Sequence, residues 1–159
     1  MQLNMNRIAL LFLLTINLLI FCKKSTNVSP EIPSISGNWI LERITDEDGN
    51  YIAGPEGRDG AFKRMVFNDD GTGVVSFILF SHVIPEPCIW NTNEDQLTIK
   101  IEYKDEITHR YEVWFAGEQI FGEVPLGASL LLHDCNQFTT NVSVPLIFYY
   151  KMEKAGSGD

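Results

Sequence analysis

From about residue 36 onward, apolar and polar side chains alternate with a period of two, in one short run after another. The clearest run is Gln96–Tyr103, where Leu97, Ile99, Ile101 and Tyr103 alternate with Thr98, Lys100 and Glu102. Successive side chains of a strand point to opposite faces, so such a run lines a core with one set and meets solvent with the other. Thr108–Phe115 repeats the pattern, and the short link Lys104-Asp105-Glu106 predicts a hairpin between the two. Further strands are predicted at Trp39–Thr45, Phe62–Asn68, Val74–Ser81, Cys88–Asn91, Ser129–Asp134 and Val144–Met152. Asn68-Asp69-Asp70-Gly71 supplies the positive φ that tight hairpin turns need. Val74–Phe80 is apolar at nearly every position, which predicts burial on both faces or a covering loop. No stretch after residue 22 keeps a helical period over three turns. Eight short strands joined by turns predict an all-β fold, an antiparallel barrel or sandwich.

The first residues follow a different rule. Arg7 precedes fourteen mostly apolar residues, Ile8 to Phe21, and Cys22-Lys23-Lys24 closes the run. A membrane-spanning helix needs about 20 apolar residues, so this shorter run, interrupted by Thr15 and Asn17, has the anatomy of an export signal. Leu19-Ile20-Phe21-Cys22 resembles the lipobox of bacterial lipoproteins, with Phe21 where a small residue is usual. The resemblance implies cleavage after residue 21, acylation of Cys22 and attachment to a bacterial cell-envelope membrane; the alternative is an uncleaved hydrophobic anchor. Residues 22–35, with Pro30 and Pro33, read as a tether, residues 36–153 as the domain and residues 154–159 as a frayed tail. Losing Arg7 would take the formal charge from −9 to −10. A surface this acidic, without a basic stripe, repels phosphate backbones and argues against nucleic acid as a partner. Once Cys22 carries lipid, Cys88 and Cys135 are left to form a disulfide or to remain two buried thiols.

Several residues then resemble the lipocalin-like domains of bacterial lipoproteins. Gly37-Asn38-Trp39 is similar to the Gly-x-Trp that opens their first strand. Phe67-Asn68-Asp69-Asp70-Gly71 is similar to their Phe-x-x-Asp-Gly hairpin, and Trp90 with Leu97-Thr98-Ile99 to their Trp…Leu-x-Ile segment. Tyr111-Glu112-Val113, Leu130-Leu131-Leu132 and Tyr149-Tyr150-Lys151 resemble the remaining strands in order. The resemblance implies an eight-stranded up-and-down barrel whose interior holds side chains or one small ligand, with a lid-like loop after the first strand, here 46–61. In such a meander Trp39 and Lys151 share one end, where Trp39 is expected to act as a plug beneath Lys151. Cys88 and Cys135 share the other end, away from the tether.

Catalytic and metal chemistry find little footing. Asp46, Asp48 and Asn50 open like a calcium loop, but Tyr51 and Gly57 stand where glycine and a bidentate glutamate are needed. His133-Asp134-Cys135 sends neighbouring side chains to opposite faces and lacks a distant fourth ligand. His82 and His109 have no nucleophile or paired carboxylate at a recognisable spacing. The reading is therefore non-enzymatic, without cofactor. Strand alternation turns Leu97, Ile99, Ile101, Tyr103, His109, Tyr111, Val113 and Phe115 inward, and from Trp39 also Leu41 and Arg43. Arg43, Tyr103, His109 and Tyr111 are thus the expected polar lining of a pocket for a small apolar or amphipathic ligand. The alternative is a filled barrel acting as a protein-interaction module, an inhibitor or assembly partner, through loop 46–61.

Overall fold

The computed structural model describes residues 34–133 and 145–154. The expected signal sequence, Cys22, most of the expected tether, Cys135 and most of the expected tail lie outside the described residues. Among the described residues the chain contains no helix and forms ten strands. These are β1 (Gly37–Asp46), β2 (Tyr51–Ala53), β3 (Phe62–Phe67), β4 (Thr72–Leu79) and β5 (His82–Asn93), then β6 (Gln96–Ile101), β7 (Ile107–Phe115), β8 (Glu118–Gln119), β9 (Ser129–Leu132) and β10 (Leu146–Glu153). Eight of them close an antiparallel up-and-down barrel in the order β1-β3-β4-β5-β6-β7-β9-β10. The seam is a full ladder from Asn38 opposite Glu153 to Asp46 opposite Leu146. Closure removes the lateral edges that would otherwise template aggregation. The two short strands are appendages, β2 folding back on the end of β1 and β8 pairing with β7.

Period-two alternation decides what fills the tube. Leu97, Ile99 and Ile101 of β6 and His109, Tyr111 and Val113 of β7 are buried, as the alternation predicts. Trp39, Phe62, Phe67, Phe148 and Tyr150 are fully buried too, and the Tyr150 hydroxyl donates past β1 to the Phe62 carbonyl of β3 at 3.1 Å. An eight-stranded barrel is just wide enough for side chains such as these to fill it.

The end at which β1 begins is closed by the segment ahead of it. Ile35 is fully buried, and its carbonyl accepts the Trp39 indole N–H at 2.8 Å. Trp39 is thus the expected plug, but its cover is different. Trp39 stands opposite Met152, whose side chain is buried, whereas Lys151 stands opposite Ile40 and is exposed. Neighbours on one strand face opposite ways, so the inward turn of Met152 sends Lys151 outside.

The far end is uneven because the strands differ in length. Strand β6 stops at Ile101, opposite Cys88. Strand β5 begins six residues earlier, at His82, and those residues pair only with β4, from Leu79 opposite His82 to Val74 opposite Pro87. The result is a two-stranded ribbon that overhangs the rim. Pro85 and Pro87 explain why sequence patterning places a loop here, since proline is excluded from the middle of a sheet. The Trp90 N–H donates to the Gly71 carbonyl on the β4 side. By alternation, the nitrogens of Pro85 and Pro87 face the opposite side, where β6 has ended, and their missing N–H costs no ladder bond.

Candidate functional site

The four residues expected to line a pocket do not meet. His109 and Tyr111 face the interior and are buried. The Tyr111 hydroxyl lies beside Thr92, and burial raises its pKa above the ordinary value, with the Asp95 charge acting in the same direction. Arg43 is on the outside. A bulge between Leu41 and Arg43 inserts one extra residue and reverses the alternation, so that Leu41 and Ile44 are buried. The Arg43 guanidinium instead lies 4.0 Å from the centre of the Tyr149 ring and 3.2 Å from Glu42. Tyr103 is 84% exposed, because β6 ends at Ile101 and the chain turns there, the Lys104 N–H donating to the Ile101 carbonyl. Phe115 is likewise exposed, at the last position of β7.

What the sequence pattern does not reveal is the surface of the overhanging ribbon. Leu79, Phe80, Val83, Ile84 and Ile89 are all exposed, Phe80 by 78%. On its outer face Val83, Pro85, Pro87 and Ile89 follow one another at every second position, with Val74 across from Pro87. A row of this kind on one projecting element is not the scattered apolar exposure normal for a protein surface.

The tip itself is strained. Phe80 and Ser81 form a two-residue turn with φ of 48° and 63°. Positive φ at both positions matches the twist of a hairpin but strongly favours Asn and Gly. Holding a bulky side chain there costs about 1–2 kcal/mol. Outliers of this kind persist where the surrounding structure imposes them, and they cluster at working surfaces.

Two depressions flank the ribbon. On the β3 side, the loop after β2 folds against it: the Gly60 N–H donates to the Ile78 carbonyl at 2.7 Å, and the Ile78 N–H to the Ala61 carbonyl at 2.9 Å. Gly57 (φ +65°) lies so close to Ile78 and Leu41 that a Cβ there would overlap both. This loop accounts for the burial of Ile78 on a strand that is apolar at nearly every position. The groove that results, about 310 Å³, is bordered by Glu56, Arg58, Asp59 and Lys63 over Ile78 and Val83. On the other side, where β5 and β6 part, a cleft of about 360 Å³ is lined by Pro87, Cys88, Ile89, Lys100 and Glu102. Lys104 reaches over the rim nearby and rests its ammonium 3.6 Å from the centre of the Phe77 ring.

Cys88 is buried, and burial pushes its thiol up to about 11, well above ordinary cysteine. Its expected partner, Cys135, lies outside the described residues. Asp46 accepts the backbone N–H and the side-chain amide of Asn50, each at 2.8 Å, and these bonds hold its carboxyl below the usual range. The 46–50 segment is therefore a hydrogen-bonded polar turn. His133 Nε2 stands 3.4 Å from the Glu112 carboxylate, which also accepts the Trp114 indole N–H at 3.0 Å. Among the described residues no three His, Cys, Asp or Glu side chains are grouped to hold a metal ion. No known family model, curated protein or solved structure matches the chain.

Proposed function

We propose that this chain is a non-enzymatic, lipid-anchored protein of the bacterial cell envelope that works as a protein-interaction module through the β4–β5 ribbon. The observation that carries the reading is the row of exposed apolar side chains on a hairpin that overhangs the rim. Interfaces of this class combine a few apolar anchors with a polar border, and Glu56, Arg58, Asp59 and Lys63 on one flank with Lys100 and Glu102 on the other supply both signs of charge. The ordered resemblance to lipocalin-like lipoproteins and the lipobox-like Leu19–Cys22 support the anchoring. The ribbon lies at the opposite end of the barrel from the start of β1.

A second reading, a small apolar or amphipathic ligand, is favoured by the cleft between β5 and β6, whose volume exceeds the ~300 Å³ floor of ordinary ligand sites. Native mass spectrometry of the full chain extracted from its own membranes separates the two. The interaction reading expects a protein complex that is lost when Leu79 and Val83 are replaced by serine and threonine. An adduct of lipid size, with no protein complex, overturns it in favour of the ligand. Cys22→Ala should abolish fatty-acyl labelling, and undiminished labelling removes the anchor from the proposal.

A further inference from the structure

The ribbon carries both halves of a fitted contact. At its tip stands an exposed aromatic, Phe80, held out by a turn that disfavours it. At its base, on the β6 side, lies the cleft lined by Pro87, Cys88 and Ile89. A cavity of ~150 Å³ is enough to hold benzene, and the cleft measures about 360 Å³. We infer that the partner of this face is a second copy of the chain, bound about a two-fold axis so that each Phe80 ring enters the other's β5–β6 cleft.

The spacing and the hydrogen-bond pattern of β5 fit such an axis. His82 and Cys88 are about 20 Å apart at ~3.4 Å per residue, and the two-residue turn sets the tip about one step beyond His82. Two ribbons laid antiparallel and centred on Ile84 bring each tip level with the other's Pro87, at the edge of its cleft. A two-fold interface must be self-complementary, and the free edge of β5 is. Val83 offers the one N–H along 83–87 that faces away from β4, while the nitrogens of Pro85 and Pro87 carry none. With Ile84 on the axis, Val83 stands opposite the other copy's Pro85, whose carbonyl is free to accept. Each copy then donates one bond, and the prolines stop the ladder from extending. The side chains at this edge are balanced in charge, Glu86 and Glu102 against Lys100 and Lys104. The net −9 of the whole chain is therefore not concentrated where the copies meet.

This inference rests on the ribbon being the docking surface, and the test keeps the two apart. A photo-activated phenylalanine analogue replaces Phe80 in the full chain, in its own membranes. The expected product has twice the chain mass, with the cross-link mapped to residues 87–102 of the other copy. A product joined to a different protein, without the double-mass species, overturns self-association and leaves the docking surface standing. Products joined only to lipid, or none at all, overturn both. Sedimentation of the detergent-solubilised chain supplies the second measurement. Phe80→Asn suits the turn better than the native residue, so the fold is kept while two rings leave the interface together. The dimer constant should weaken at least about a hundredfold. An unchanged constant in Phe80→Asn refutes the ring-in-cleft arrangement.

Discussion

Replacing Trp39 by alanine is the sharpest test of how this barrel is held together. The ring is fully buried at the end where the chain enters. An aromatic of this size removes 150–250 Å² from water, which at ~25 cal/mol/Å² amounts to about 4–6 kcal/mol. That is an upper bound, because the unfolded chain already shelters part of the same surface. Measured Trp and Phe truncations in protein cores cost about 3–5 kcal/mol. The indole N–H contributes separately, since the Ile35 carbonyl accepts it at 2.8 Å and would be left buried without a donor, at about 1 kcal/mol. Trp39→Ala should therefore cost about 4 kcal/mol, and Trp39→Phe, which keeps most of the volume and loses the N–H, about 1–2 kcal/mol. For a domain of this size 4 kcal/mol lowers the melting temperature by about 12–18 °C. Urea unfolding followed by far-ultraviolet circular dichroism measures both variants. A loss below about 1 kcal/mol in Trp39→Ala, with an unchanged urea slope, refutes the plug. Equal losses in the two variants would assign the stability to the N–H and not to the ring.

Three further outcomes follow from named contacts. At Gly73 a Cβ would run into the Val66 carbonyl of the neighbouring strand and lie 3.2 Å from Cys88 Sγ, so Gly73→Ala should destabilise by about 1–3 kcal/mol in the same urea assay, and a neutral effect contradicts the close approach of β3 and β4. Asp46 and Asp70, each bonded to its own turn, have carboxyls held below the ordinary 3.8. Their contribution is present above the unfolded value and is lost as pH falls through the lower folded value; carboxyl titration by NMR that places either group at or above 3.8 refutes these bonds. The Cys88 thiol, raised to about 11 by burial, should alkylate slowly at pH 8 in the reduced, folded protein and rapidly in urea, and equal rates would place it in solvent.

Much of the architecture can be read from residue order because a half-buried strand writes its period directly into the chain. The β6–β7 hairpin is the best example, with Leu97, Ile99 and Ile101 of one strand and His109, Tyr111 and Val113 of its neighbour all turned into the interior. Arg43 shows where that logic stops. A single extra residue at a bulge reverses the facing of everything beyond it, and no residue type announces the bulge in advance. Tyr103 fails differently, since it continues the alternation of β6 after the strand itself has ended. The ribbon at 82–87 was hidden by its prolines, which speak against a strand unless one knows that the neighbouring strand is absent. The Phe80 tip has a signal only in hindsight, a two-residue turn made of residues that normally avoid it. The His133–Glu112 contact joins β7 to the end of β9, and residues 21 apart give no local sign of meeting.

The way the chain enters the barrel has a mechanical consequence. Ile35 sits inside the core just ahead of β1, and β1 is zipped along its length to β10 and, over its first half, to β3. A pull on Ser34 directed along β1 therefore loads both ladders in shear. Rows of bonds must then yield together, instead of parting one at a time as they would in a peeling hairpin. Under such a load the closing β1–β10 seam would bear the force, and the rate of forced unfolding, not equilibrium stability, would set how long the barrel stays folded.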